Sequence, residues 1–564
     1  MIKPILFLIG GGLLPAAAQI PAFPGAKGFG AYATGGRGGD VYQVINLNAD
    51  GEGSLRHGIE TVPSAGRTIV FNVSGYIPLP GKNLRIVKPK ITIAGQTAPG
   101  DGIGLRNGTV RITGDNTVIR NLRIRHGKGG SGGDCLDIDH TATNSIIDHV
   151  TMQFSTDENI SFFKSALDNF TMQNSVTAWG MERHNAGGLW DLNHGSCINS
   201  LWAHHHTRNP KARPNGMLEW VNNVSYDWGI GFIMGDSQTP AAWKANVRSC
   251  YFLMPGGGDR KAFDKPHVAS DGKPTFSLFL EHCLYDADGD GRLNGTDKGY
   301  AIVGGSEYKE SEHAAPGADR YIKASQPFPG ATGKAAVTPD DPLTAYKKVV
   351  SDSGAVRLDA TAAGPLRDEV DTVLFNNVVS QKSSRLSSEK ELAAAPYNVS
   401  NDGFGALETK PSSADTDLDG MPDFWEQSLG FNPKTANNNA VIDNNRGTFL
   451  PPDAAVGYTQ LEEYLHFLSI PHAVVTDSNL TIDLRKFTAG FSKSPAFKIS
   501  DITGGTIEQL AENGTTRSAT GPIVKFVATA KTQGRAQFNF TVLDADRSTW
   551  TRQFGILVAP GSRQ

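Results

Sequence analysis

From Asn121 onward, a polar residue able to hydrogen-bond is followed repeatedly by a short run of alternating apolar and polar side chains. The runs are Asn121-Leu-Arg-Ile, His149-Val-Thr-Met, Asn174-Ser-Val-Thr, Asn199-Ser-Leu-Trp, Asn223-Val-Ser-Tyr, Ser249-Cys-Tyr-Phe and His282-Cys-Leu-Tyr, at intervals of 28, 25, 25, 24, 26 and 33 residues. Alternation is the period of a strand whose two faces meet different surroundings. A fixed period of this size, rich in Gly and Asn, predicts a stacked solenoid. The expected fold is all-β: a right-handed parallel β-helix in which like residues stack on like and Asn at a bend builds a hydrogen-bonded ladder. Cys250 and Cys283 hold the same place in consecutive repeats and are expected above one another, stacked or bonded. An antiparallel sandwich of irregular strands fits such regular spacing less well.

The pattern changes on either side of the repeat. Residues from Phe23 to about Asn107 are expected to form the first coils and a cap over the open end. Past Asp297, the polar stretch 306–345 reads as a loop or linker, and 343–373 carries helical spacing. Residues 415–470 pair an acidic loop with helical segments, and from about Asp477 alternating runs such as Ala536-Gln-Phe-Asn-Phe-Thr-Val predict a small β-sandwich. At the start, Lys3 precedes an apolar run and Ala16-Ala-Ala18, the arrangement of a secretory signal peptide cleaved after Ala18. The organisation expected is a signal peptide (1–18), a β-helix (19–305), an extension and linker (306–414), a calcium-loop unit (415–475) and an accessory sandwich (476–564).

Composition narrows the partners. A formal net charge of -4 leaves no electrostatic footprint for nucleic acid. Beyond the signal peptide no apolar run reaches membrane-spanning length, so a soluble, exported monomer is expected: extracellular, or periplasmic or at the cell surface in a bacterium. Four cysteines are too few for a disulfide scaffold.

Candidate chemistry is concentrated in Leu201–Tyr226. There Arg208 and Arg213 flank Pro210, with Lys211 between them and His204, His205 and His206 before them. Permanently charged forks on a stiffened turn suit recognition of a carboxylate-bearing polymer. Asp134 lies one coil before Asp157 and Glu158, so all three are expected side by side, where they repel unless a cation sits among them. Arg208 follows about two coils later and is expected to face the same groove. Two further acidic loops have calcium-binding spacing: Asp286, Asp288, Asp290, the Arg292 carbonyl and Asp297, and again Asp415, Asp417, Asp419, the Met421 carbonyl and Glu426.

The chain resembles the pectate lyases of polysaccharide lyase family 1, and within them the secreted group called probable pectate lyase C. The resemblance lies in Phe23-Pro-Gly-Ala-Lys-Gly-Phe-Gly-Ala-Tyr-Ala-Thr-Gly-Gly-Arg-Gly-Gly39, Val44-Ile-Asn-Leu-Asn48, Gly53-Ser-Leu-Arg56, Asp148-His149 and Arg208-Asn-Pro-Lys-Ala-Arg213. It implies Ca²⁺-dependent β-elimination of α-1,4-polygalacturonate, with Arg208 as catalytic base, Arg213, Lys211 and His205 against the substrate, and Ca²⁺ on Asp134, Asp157 and Glu158. The chain departs from the family where Gly132 and Phe162 replace carboxylates and where Met181-Glu-Arg-His184 replaces a lysine. Two alternatives stay open on the residues alone. One is a hydrolase on the same fold, using paired carboxylates among Asp137, Asp139 and Asp157, and the other is a non-catalytic, carbohydrate-binding or adhesive β-helix.

Overall fold

The computed structural model describes residues 19–560 except 82, 164–166, 182–183, 236–241, 270–271, 309–319, 477–478 and 530–532, so the signal-peptide segment lies outside the described residues. The alternating runs stack into a parallel β-solenoid of about eight turns. Among the described residues its walls are three sheets of 12, 8 and 10 strands. Each sheet keeps its register from coil to coil. On the 8-stranded sheet the inward row Ile86, Ile112, Ile138, Phe162, Trp190, Ala212 and Met234 is continuous and fully buried. Burying each large apolar side chain contributes about 1.5–3 kcal/mol, which is why a one-residue slip is not tolerated.

The bends explain the polar residue that opens each repeat. Asn121, His149, Asn174, Asn199, Asn222, Ser249 and His282 all have left-handed backbones, with φ between 47 and 58°. Short polar side chains tolerate this region best. The row passes through Asn222, not Asn223 as the spacing suggested. Asn223 turns inward, donating to the Cys197 carbonyl (2.8 Å) and accepting from Ser200 N (2.9 Å). Cys250 and Cys283 are buried one coil apart as free thiols. At another bend Phe154, Trp179 and His204 form a column, with rings 5.9 and 5.6 Å apart and nearly parallel.

The described part of the stretch expected to be a linker is laid down on the solenoid. Arg320–Lys323 pairs with Phe276–Glu281, and Phe328 N and Ala331 N donate to Asn246 and Glu219 of the 12-stranded sheet. The helical spacing over 343–373 becomes two helices, Pro342–Asp352 and Glu369–Val379, capped by Asp341 and Asp368. Pro365 and the left-handed Gly354 and Gly364 interrupt it. The helices cover the outer face of the 10-stranded sheet, where Val176, Leu201 and Val224 meet Tyr346, Val349 and Leu374.

The C-terminal sandwich packs a four-stranded sheet on a three-stranded one around Phe497, Phe526, Phe538, Phe540 and Phe554. Its first strand is His472–Val475, paired with Thr549–Val558, and its core includes Val356 and Leu358. The boundary expected at residue 476 therefore cuts behind a strand that belongs to the sandwich, and the core crosses it.

Candidate active site

The outer row of the 8-stranded sheet runs Arg85, Arg111, Asp137, Ser161, Leu189, Lys211 and Ile233 in register. Beside it, strand Ser131–Asp139 loses register between Ser131 and Leu136, the kind of irregularity that re-aims a side chain. Asp134 sits in that break and its Oδ1 accepts from Glu158 N at 2.9 Å. Asp134, Asp157 and Glu158 each bring a carboxylate oxygen within 4.8 Å of the others. Burial pushes Asp134 up to about 7; a Ser161 hydrogen bond opposes this, while the Asp157 and Asp137 charges add to it. Three hard oxygen donors under mutual strain fit a divalent cation.

Arg208 arrives two coils later, because Ala186 bridges Glu158 on one side and Thr207 on the other. Its guanidinium ion-pairs with Glu158. Its backbone is left-handed, φ 56°, which costs a bulky residue about 1–2 kcal/mol. Gly188 N steadies the turn by donating to the Arg208 carbonyl at 2.9 Å. A Cβ on Gly187 would lie 2.6 Å from that carbonyl, so the glycine is what lets the turn come so close.

Lys211 stands half-buried on the outer row, and Arg213 is buried with its Nη2 donating to Asp191 at 2.7 Å. His205 does not belong with them. It is fully buried, its Nδ1 accepting from Gly180 N at 3.1 Å and its Nε2 facing Thr177 Oγ1 at 3.2 Å, and burial pushes its pKa down to about 3. The expected substrate contact by His205 is thus corrected: an inward-facing residue between two outward turns cannot reach the groove. His204 belongs to the ring column, with Asp227 at 2.8 Å from its Nδ1.

Sequence reasoning missed His184, whose Nδ1 lies 2.5 Å from Asp157 Oδ1. It stands where the family's lysine was sought, and Glu182 and Arg183 lie outside the described residues. The other departures have packing reasons. Gly132 has φ 100° and a Cβ there would lie 2.2 Å from Thr109 Oγ1, so no carboxylate fits. Phe162 faces the core against Phe170 and Trp190. Asp137 and Asp139 are both held by Arg111, at 3.3 and 2.9 Å.

The two acidic loops part company. In the first, Asp286 is turned inward to Tyr251 OH (2.7 Å) and the Arg292 carbonyl accepts from Gln381 (2.8 Å). Asp288 and Asp290 cap their own loop, and Asp297 accepts from Gly299 N (2.8 Å). The expected ligand set Asp286, Asp288, Asp290, Arg292 and Asp297 is not gathered among the described residues: Asp286 and the Arg292 carbonyl are engaged by Tyr251 and Gln381 instead. In the second, Asp415, Asp417 and Asp419 do converge within 4.8 Å, with Glu426 fully buried nearby. Burial and the neighbouring aspartates push Glu426 up to about 8. Met421 is buried, its N–H donating to Asp419 at 3.0 Å.

No protein-family profile matches the chain. Curated relatives do. A probable pectate lyase C of Aspergillus flavus is 36% identical over 445 residues, 78% of this chain and 94% of its own length. One of Emericella nidulans is 35% identical over 456 residues, 79% and 92% respectively. Among solved structures, the major allergen from cedar pollen aligns with TM-score 0.41 and 16% identity, covering 59% of this chain and 93% of its own. A pectate lyase from Paenibacillus sp. 0602 aligns with TM-score 0.39 and 12% identity, covering 60% and 96%.

Proposed function

The chain belongs to the pectate lyases of the group named probable pectate lyase C, and from that membership we propose that its groove cleaves α-1,4-polygalacturonate by β-elimination with Arg208 as the base. The observation that carries the residue assignment is the meeting of Arg208 with Glu158 beside Asp134 and Asp157, on the outer side of one sheet.

Asp134, Asp157 and Glu158 would hold Ca²⁺, which when bound supplies Lewis-acid charge to the uronate carboxylate and acidifies the hydrogen on C5. Arg208 receives that proton on its guanidine nitrogen. The C4–O4 bond breaks, its electron pair leaves with O4, and the C5–H pair becomes the C4=C5 double bond. Water protonates the departing O4. A free guanidinium has a pKa above 12, so the neutral form has to be favoured locally. Lys211 and Arg213, close in sequence to Arg208, act in that direction by disfavouring further positive charge. The same two cations bind substrate carboxylates, with Arg213 held in place by Asp191. The Glu158 carboxylate works the other way, favouring the charged guanidinium, so Glu158 would have to give up that pairing to hold Ca²⁺ before Arg208 could serve as base. Export, which the segment Lys3 to Ala18 predicts, would deliver the enzyme to cell-wall pectin.

Purified protein incubated with polygalacturonate, with and without chelator, tests this. Ultraviolet-absorbing unsaturated uronides should accumulate and chelation should stop them. Saturated products, or chelator-insensitive turnover, would refute the mechanism.

A further inference from the structure

The acidic loop at 415–426 lies nowhere near the groove. It sits against the 12-stranded sheet, on the first coils. Gln43 donates to Asp415 Oδ2 at 2.6 Å, and Asn439 donates to the Gly39 carbonyl at 2.8 Å. A Cβ on Gly420 would lie 3.1 Å from Val41 and 3.5 Å from Val70, so the loop is seated directly on those strands. Its other side reaches the sandwich. Trp425 packs in one cluster with Ala94, Phe467 and Leu557; Gln533 donates to the Gln427 carbonyl at 2.9 Å; and Arg535 pairs with Glu463 at 2.6 and 2.7 Å. Three parts of the molecule meet at one loop.

Among the described residues the loop also contains buried oxygens without partners. Glu426 is 0% exposed and its Oε2 has no hydrogen-bond donor. Both carboxylate oxygens of Asp417 are buried without donors. Asn437, beyond the loop, donates from its side chain to Glu426 Oε1 (3.0 Å) and from its backbone to Asp419 Oδ2 (2.8 Å), yet its own Oδ1 has no partner among the described residues. Leaving a buried charged oxygen unmatched is costly, whereas a hard cation takes six to eight such donors.

We propose that Asp415, Asp417, Asp419, Glu426 and Asn437 form a second divalent-cation site, separate from the groove, whose ion pins the C-terminal sandwich to the first coils. Asn437 is a ligand that the spacing within the loop does not reveal.

The test uses full-length protein stripped of metal and titrated calorimetrically with Ca²⁺ alone. Glu426→Gln and Asn437→Ala should each weaken or abolish one class of binding, and Asp134→Asn should remove a different one. Asn437→Ala keeps every carboxylate, so it remains informative if Glu426→Gln folds poorly. Limited proteolysis gives the second readout. Wild type should resist cleavage between the solenoid and the sandwich in calcium and lose that resistance on chelation, while folded Glu426→Gln should be cleaved even in calcium. Wild-type calcium binding by both variants, or release of the sandwich that ignores calcium, overturns the proposal. The groove reading is judged by turnover and can fail without affecting this one.

Discussion

Two sets of carboxylates gather in this molecule, and their settings differ in kind. In the groove, Asp134, Asp157 and Glu158 come from two neighbouring coils and are answered by side chains from later ones, Arg208 and His184. At the junction, Asp415, Asp417, Asp419 and Glu426 come from one continuous segment beside the Trp425 cluster, with oxygens left unanswered among the described residues. The first set has cationic neighbours that can exchange partners with an arriving polyanion. The second is met by N–H donors and by no ion-pair partner among the described residues. Gathered charge with cationic neighbours can act on a ligand; the same charge without them, seated between solenoid and sandwich, can hold the fold together.

The sharpest way to break this contrast is at Arg208. Arg208→Lys should lower turnover at least about a hundredfold, the lower end for losing a positioned acid–base group, without moving the melting temperature. A folded variant of wild-type activity would remove Arg208 from the mechanism. Next, Asp134→Ala and Glu158→Ala should abolish activity while thermal stability stays nearly constant, whereas Asp417→Ala should lower the calcium-dependent melting temperature and spare turnover per folded molecule. Measuring both quantities on all three variants decides it, and like behaviour would erase the distinction.

A smaller effect concerns His149, at the contact of solenoid, helix and sandwich. Burial alone would lower its pKa, but Asp148 and Asp352 outweigh burial and hold it up at about 9, from an ordinary 6.5. Behind them stand Arg120 and Arg552, at 2.8 and 2.7 Å. The folded pKa is the higher one, so the contribution is complete below 6.5 and is lost as pH rises through about 9. It amounts to on the order of 3 kcal/mol. Denaturant midpoints across that window should fall for wild type and flatten in His149→Asn, which suits the left-handed bend. Smallest of all, Asp288→Ala in the ungathered loop should change stability by no more than about 0.5 kcal/mol, with or without calcium.

Much of this was legible in the chain because a solenoid turns sequence interval into spatial neighbourhood. Asp134, Asp157 and Glu158 could be placed together, and Arg208 beside them, from the coil length alone. What was not legible depended on which way a residue turned. Asn222 and Asn223 are chemically identical, and only burial of the flanking strand decides which takes the bend. Of the three consecutive histidines only His206 is exposed; past the strand end at Ala203 the chain turns His205 onto Gly180 and Thr177. His184 and Asn437 lie on irregular segments, where spacing carries no geometric meaning. The two acidic loops share one pattern, and Tyr251 and Gln381, distant in sequence, are what draw the first away from a ligand set.

The arrangement in coils also limits how such a chain can change over evolutionary time. Asp134, Glu158 and Arg208 are brought together across consecutive rungs, with Ala186–Trp190 between the last two. Gaining or losing a whole coil there would carry the arginine one rung, about 4.8 Å, from its carboxylates. Lengthening a loop between coils moves neither. Lineages sharing this groove should therefore vary freely in loop length while keeping the same number of coils between Ser131 and Ala212.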